Sequence, residues 1–147
     1  NFPQFTVFLL FVLNFFLYPP PPPPPESIPP LILKLEVAYT LWHSHIIHFP
    51  KIHRYSLGAK IDTLFCEVIQ YTSSALFVKK EQKLVYIQKA IQILDTMKVL
   101  LRIAHTIKAF ETKQYVALTE KLHEIGKMLG GWHNQVIKQQ EKKTPTQ

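Results

Sequence analysis

The sequence predicts an all-α fold, an antiparallel up-down-up-down four-helix bundle formed by residues 28–140. Four segments of this region place apolar side chains at alternating spacings of three and four residues, the period of one helix face. No useful stretch alternates apolar and polar residues with the two-residue period of a strand. The segments are joined by short links, which make consecutive helices antiparallel.

Proline positions and apolar spacing define the first two helices. Pro29 and Pro30 suit a helix start, and Pro50 is expected to close the first helix. The segment PKIHRYS, residues 50–56, is interpreted as the link to the second helix, which runs to about Val78. The two apolar stripes are Leu31, Leu35, Ala38, Trp42, His45 and Phe49, then Leu57, Ile61, Leu64, Val68, Tyr71 and Ala75.

The third and fourth helices are longer. The third carries two adjacent apolar seams, more than one bundle needs if its outer face meets water, which favours a homo-oligomer. Its seams are Leu84, Ile87, Ile91, Leu94 and Leu101, and Ile93, Met97, Leu100, Ala104 and Ile107. The fourth shows the heptad-like series Tyr115, Leu118, Leu122, Ile125, Leu129, Trp132 and Val136.

The stretch HEIGKMLGGW, residues 123–132, places glycines in a predicted helix. Gly126 and Gly130 are four residues apart and share one flank, where a missing side chain lets another helix approach closely. Alternatively, Gly130 and Gly131 end the helix as a cap. Because Trp132 continues the apolar stripe, the sequence favours a helix–helix or subunit interface at Gly126, Gly130, Gly131 and Trp132.

Residues 1–27 are predicted to lie outside the bundle, as a disordered segment or as no part of the native protein. They contain an apolar run, Phe5 to Tyr18, which is shorter than the ~20 residues that span a bilayer, so no membrane association is expected. Seven prolines, Pro19–Pro25, then predict a stiff polyproline II rod. The polar tail, residues 141–147, is also predicted to be disordered.

The single cysteine, Cys66, excludes an intrachain disulfide. It lies within the apolar stretch of the second helix, which predicts a buried, inert thiol. A reducing, cytoplasmic location is the simplest expectation.

The net charge of +7 favours an anionic partner, nucleic acid before membrane. Around the third helix, the sequence has seven basic residues and only two acidic ones, Glu81 and Asp95. The basic residues are Lys79, Lys80, Lys83, Lys89, Lys98, Arg102 and Lys108. The alternative, a solvated face, would mix both signs. Without a groove-reading motif, contacts to RNA or DNA should be to phosphates, with low sequence selectivity. The candidate nucleic-acid or partner-binding residues are Lys51, Arg54, Lys60, Lys98, Arg102 and Lys108.

Other chemistry has weaker support. His45 and His48 lie three residues apart on one helix face, but a metal site needs three or four convergent ligands. The sequence has no nucleophile elbow and no glycine-rich phosphate loop. We therefore expect no metal, no cofactor and no enzymatic activity.

Two stretches, FPKIHRYSLGAKI (49–61) and LLRIAHTIKAFETKQYVALTEKLHEIGKMLGGW (100–132), resemble the accessory variability determinant (Avd) proteins of diversity-generating retroelements. The resemblance covers about residues 30–133. Related four-helix-bundle proteins are encoded in intervening sequences of ribosomal RNA genes, and the EIGKMLGGW ending favours the Avd branch. The matching residues include Phe49, Pro50, Lys51, Arg54, Leu57, Gly58, Leu101, Arg102, Ala104, His105, Gln114, Tyr115, Glu124, Ile125 and Gly126.

The resemblance implies a homopentameric barrel of four-helix protomers without catalytic residues. Such a protein binds a reverse transcriptase and template RNA and supports mutagenic reverse transcription. Our candidates for contacts with the partner protein or nucleic acid are Arg54, Lys60, Lys98 and Arg102, although Arg102 could instead form an intersubunit ion pair. Two alternatives stay open: a ribosomal-RNA intervening-sequence protein, or a helical interaction module that does not bind nucleic acid.

Overall fold

A computed structural model describes residues 3–17 and 29–143 and shows an all-α fold. The all-α prediction is confirmed, and no strand occurs in these two ranges. The elements are α1 (Pro3–Leu17), α2 (Pro30–Ile46), α3 (Lys51–His53), a π-helical turn (Arg54–Gly58), α4 (Ala59–Phe77), α5 (Lys80–Thr106) and α6 (Thr112–Glu141).

Four long helices, α2, α4, α5 and α6, pack in a ring. Helix α5 lies between α4 and α6, and α2 closes the ring by contacting α6 and α4. The connections at 47–50, 78–79 and 107–111 are short, so consecutive helices run antiparallel. The connections 47–50 and 107–111 lie at the same end of the bundle, which we call the connection end.

A buried aromatic cluster closes the connection end. The ring centroid of Trp42 lies 5.6 Å from that of Phe49 and 5.9 Å from that of Phe110. Phe49 and Phe110 belong to the two connections, and their own centroids are 5.9 Å apart. All three side chains are buried. Since burying a large apolar side chain contributes about 1.5–3 kcal/mol, this cluster fixes both connections to the core.

A polar contact joins α2 to α4 beside this cluster. Asp62 Oδ1 accepts hydrogen bonds from Tyr39 Oη and from Trp42 Nε1, each at 3.1 Å. The bond to Asp62 satisfies the indole N–H of the fully buried Trp42. Burial, together with the hydrogen bond to Asp62, raises the pKa of Tyr39 to about 12.

The link predicted at residues 50–56 is wrong, because the chain is helical from Lys51 onward. Pro50 is the N-cap of α3, with φ −53°, so the proline that follows α2 also starts the next helix. Helix α2 itself ends at Ile46, before Phe49. The π-helical turn leads directly into α4, and its residue Gly58 is buried against Phe49.

The prediction that Cys66 is buried is also wrong, because its thiol is exposed. The buried positions of α4 include Leu64, Phe65 and Val68. Each helical residue is rotated by about 100° from the one before it, so Cys66 lies one step beyond this buried stripe.

Both seams of α5 are used within one chain. Ile87, Leu94 and Leu101 are buried from the first seam, and Met97 and Ala104 from the second. A helix that packs between two neighbours needs a wide apolar face, so the doubled seam does not require a second subunit. The homo-oligomer stays a prediction.

The N-terminal segment contains the helix α1, of 15 residues, and its place outside the bundle stays a prediction. Its apolar side chains are exposed, among them Phe5, Phe8 and Phe11. None of the helices in the described ranges could span a membrane. The predicted rod at Pro19–Pro25 and residues 144–147 of the tail lie outside the described residues.

The raised pKa of Tyr39 predicts a loss of stability at high pH. A group that ionises at about 12 in the folded chain and near 10 when unfolded stabilises the fold below pH 10. That contribution falls as the pH rises from 10 towards 12. The difference in unfolding free energy between the wild type and Tyr39→Phe, measured with urea, should therefore be smaller at pH 11 than at pH 8. A difference that is the same at both pH values would contradict this.

Candidate nucleic-acid and partner interface

Three residues of α5, Lys98, Arg102 and His105, form a ridge along its boundary with α6. The imidazole of His105 stacks on Tyr115 of α6, with centroids 4.4 Å apart and planes 7° apart. Its Nε2 lies 3.0 Å from Thr112 Oγ1. Arg102, between Lys98 and His105, is exposed. Lys98, Arg102 and His105 thus share one face of α5, as their spacing in the sequence indicates. We call this face the α5–α6 ridge.

The basic side chains are largely unneutralised by neighbouring carboxylates. All 17 lysines and arginines lie within the described residues. Among those residues a single ion pair is present, between Lys34 Nζ and Glu124 Oε1 at 2.6 Å. The hydrogen bond and the charge of Lys34 lower the pKa of Glu124. The other basic residues therefore contribute to a positive surface potential, which attracts polyanions.

Arg54 has a structural role that sequence reasoning missed. Its Nη2 donates to the carbonyl oxygen of Ile47 at 2.6 Å and to that of Phe49 at 3.1 Å. Carbonyls just past the end of α2 have no helical partner, so this guanidinium satisfies them and fixes the 47–50 connection. The signal in the sequence was the arginine shortly after the helix end. A phosphate contact by Arg54 stays a prediction.

Lys108 lies in the 107–111 connection with φ 61°. The amide of Lys108 donates to the carbonyl of His105, and the amide of Ala109 to that of Ala104 at 2.8 Å. These two bonds form a Schellman motif, which ends α5 with a residue in the left-handed conformation. The side chain of Lys108 is exposed.

The six basic candidates lie in one half of the bundle. Lys51 begins α3 and Lys60 lies in the first turn of α4, both exposed and both near the connection end. Lys98 and Arg102 lie in the part of α5 that approaches the same end. The helix directions thus place these residues, which are far apart in the sequence, in the same half of the bundle.

The glycines of α6 divide into two kinds. A Cβ added at Gly126 would lie 3.1 Å from Lys98 Nζ and 3.5 Å from Leu94 Cδ2, so α5 approaches α6 closely there. Side chains of α5 therefore occupy the space beside Gly126 within one chain, and the helix–helix or subunit interface expected at these glycines stays a prediction. At Gly130 and Gly131 an added Cβ would meet nothing within 4 Å. The alternative that these two glycines end the helix is wrong, because α6 continues to Glu141.

Trp132 is accounted for by packing inside the chain. It is half-buried against the core, and Lys83 Nζ lies 5.9 Å from the centroid of its ring. The same ammonium donates to the carbonyl oxygens of Ala75 at 2.7 Å and Leu76 at 3.3 Å, at the end of α4. Lys83 therefore caps α4, a role that its place in a lysine-rich stretch did not indicate.

His45 and His48 line one pocket of about 440 Å³ at the connection end. Their ring centroids are 6.5 Å apart. The other lining residues are Ala109, Phe110, Glu111 and Gln114. Among the described residues, no group of three or more histidines, cysteines or carboxylates is arranged to hold a metal ion.

A protein-family model described as bAvd-like matches residues 34–136, from α2 to α6. The chain belongs to the bAvd-like family. This match spans more than half of the chain and includes every basic candidate and every glycine, while α1 lies outside it. A search of curated proteins finds no match to this bAvd-like chain. The Avd resemblance seen in the sequence is confirmed at the level of the family.

Alanine at the two open glycines should stabilise the protein. An interior glycine costs a helix about 0.5–1 kcal/mol relative to alanine, and neither Gly130 nor Gly131 is close to another group. We expect Gly130→Ala and Gly131→Ala each to raise the unfolding free energy by about that amount. Gly126→Ala should gain less, because Lys98 must move. Urea unfolding of the three variants measures this, and a larger gain at Gly126 would contradict it.

Removing the guanidinium of Arg54 should destabilise the protein more than removing an exposed lysine. Arg54→Ala removes a charged donor from the partly buried carbonyl of Phe49 and leaves the exposed carbonyl of Ile47 to water, at a total cost of about 1–3 kcal/mol. The matched control is Lys51→Ala, whose side chain is exposed in the adjacent helix, and it should change stability by less than about 0.5 kcal/mol. Thermal unfolding compares the two, and equal effects would show that Arg54 does not hold the connection.

Proposed function

We propose that this bAvd-like protein is a non-catalytic accessory protein of a diversity-generating retroelement. In this role it binds the reverse transcriptase and the template RNA through its basic surfaces and supports mutagenic reverse transcription. The observation that carries the proposal is the family match, because it spans residues 34–136 and so nearly the whole bundle. Membership of an Avd-like family supports an accessory role.

The charge distribution supports an RNA contact. The α5–α6 ridge places Lys98 and Arg102 one turn apart, and in the described residues neither is paired with a carboxylate. Lysines and arginines that neutralise phosphates release counterions, so affinity for RNA falls steeply with salt. The ridge has no groove-reading motif, which makes phosphate contacts of low sequence selectivity the expected mode.

We further propose that the protein assembles as a homo-oligomer, in keeping with the pentamer that the Avd resemblance implies. Helix α5 leaves Val99 58% exposed and Ile103 45% exposed, and Val116 of α6 is 48% exposed. Val99 and Ile103 lie four residues apart on α5, and Val116 lies on the neighbouring helix α6. Together they offer exposed apolar side chains next to the ridge. A second copy of the chain would cover that surface.

The same apolar surface favours a second candidate function. A helical protein-interaction module would use Val99, Ile103 and Val116 to bind a partner protein and would never contact nucleic acid. The two candidates differ in one measurable property, which is the affinity for RNA at low salt.

Charge reversal on the ridge tests the leading proposal. Lys98→Glu with Arg102→Glu should lower RNA affinity by at least about tenfold and reduce the slope of log affinity against log salt by about 1.4, since each phosphate contact on single strands contributes about 0.7. Fluorescence anisotropy with a labelled RNA at several salt concentrations measures both. Light scattering should show an unchanged assembly mass.

The matched control is Lys89→Glu with Lys142→Glu, which changes the net charge equally. Both lysines are exposed; Lys89 lies nine residues before Lys98, and Lys142 follows α6 at the opposite end of the bundle. This control should keep most of the RNA affinity. Equal losses of RNA affinity in the two double variants would show that net charge, and not the position of the ridge, determines binding. No RNA binding by the wild type at low salt would favour the interaction module.

A further inference from the structure

The pocket lined by His45 and His48 has the features of a site for one nucleobase. Its volume of about 440 Å³ is of the size that holds a small organic ligand. His48 and Glu111 are exposed, so the pocket opens on the surface, while Ala109 and Phe110 are buried and form its apolar base. Single-stranded RNA is recognised by stacking unpaired bases on aromatic rings, including histidine. We call this the histidine pocket.

The walls of the histidine pocket are held in place by the core. Phe110 packs against Trp42 and Phe49, and the His45 ring lies edge-on to Phe110 at 6.3 Å. On the other side, Arg54 holds the carbonyls on both sides of His48. A site that is formed before binding loses less entropy when a ligand enters it.

One polar atom of a pocket-lining side chain has no partner among the described residues. Gln114 Oε1 is shielded from solvent and accepts no hydrogen bond from any described residue. A buried acceptor without a donor costs free energy, and a ligand that donates to it recovers that cost. Glu111, one turn earlier at the start of α6, lines the same pocket, and its side chain makes no capping hydrogen bond. The pocket thus presents Glu111 as an exposed acceptor, and Gln114 Oε1 becomes a second acceptor when its side chain turns toward the ligand.

Three exposed lysines are close in the sequence to the segments that line the pocket. Lys108 precedes the lining residue Ala109, Lys113 precedes Gln114, and Lys51 follows the 47–50 connection, and all three are exposed. Their ammonium groups can contact the phosphates on either side of a base in the pocket. Lysine alone recognises phosphates without reading sequence, so base selection must come from the pocket itself.

We propose that the histidine pocket binds one unstacked base of single-stranded RNA and prefers guanine. Among the four RNA bases, guanine alone presents two adjacent donors, N1–H and N2–H, on its Watson–Crick edge, which matches the two acceptors Gln114 and Glu111. The imidazoles of His45 and His48 supply the stacking surface. This inference rests on the proposed RNA-binding function and adds a point of base selectivity to the otherwise unselective phosphate contacts.

The direct test is a titration of the isotope-labelled full chain with guanosine monophosphate and with uridine monophosphate, followed by NMR. Both nucleotides carry the same phosphate, so the difference between them isolates the base. We expect guanosine monophosphate to shift the signals of His45, His48 and the Gln114 side-chain amide at about tenfold lower concentration than uridine monophosphate. Guanosine monophosphate shifting none of these signals, or equal effects of both nucleotides, would overturn the proposal.

The second test uses RNA. A twelve-nucleotide oligo(A) with one central guanosine should bind the wild type about tenfold more tightly than oligo(A) alone, measured by fluorescence anisotropy at low salt. Gln114→Leu should abolish this preference and leave the salt dependence unchanged, and Glu111→Leu, which removes the carboxylate acceptor, should also abolish it. The matched controls are Gln135→Leu and Glu120→Leu, at two exposed residues of α6 outside the pocket, which should keep the preference.

These experiments separate failure of the pocket from failure of RNA binding. If the wild type binds both oligonucleotides equally, the pocket proposal is wrong and the RNA-binding function stands. If it binds neither, the proposed function fails, and the nucleotide titration still decides whether the pocket recognises guanine. Circular dichroism of Gln114→Leu checks that α6 is intact, and a folded variant that keeps the guanine preference would also overturn the proposal.

Discussion

The packing of Trp42 against Phe49 and Phe110 is the constraint on which the other features of this bundle depend. It ties the two connections at one end to the core, and the hydrogen bond from Trp42 to Asp62 ties α2 to α4 at the same level. Both connections are fixed to a closely packed interior. The side chains of these connections therefore occupy defined positions. The histidine pocket and the exposed Lys108 are both consequences of that arrangement.

Two basic side chains of the bundle donate hydrogen bonds to backbone carbonyl oxygens. Arg54 and Lys83 each satisfy carbonyls at the end of a helix, at opposite ends of the molecule. Both lie in stretches whose excess of positive charge suggests polyanion binding. A cation near a helix C-terminus is stabilised by the helix dipole, so part of a basic composition reflects helix termination. The positive charges that remain for a partner are the exposed ones, including Arg102 and those of the connection end.

The bundle carries its positive ridge and its pocket on different parts of its surface. The α5–α6 boundary combines a positive ridge with exposed apolar side chains, which suits contact with a polyanion and with another protein surface. The connection end adds a pocket with aromatic walls and hydrogen-bond acceptors. A four-helix bundle permits this division because its core lies on the inward helix faces, leaving the outer faces and the connections free to carry chemistry.

Periodicity determined the helical fold, the core positions of α5 and α6, and the ridge of Lys98, Arg102 and His105, because these follow from spacing along one helix. Family resemblance in the sequence was sufficient to anticipate the bAvd-like assignment. The helix at Lys51–His53, the exposure of Cys66 and the different surroundings of Gly126 and Gly130 were decided only by the tertiary structure. So was the pocket that joins His45 to Gln114. Which residues meet across helices depends on packing between distant segments, which spacing within one segment does not encode.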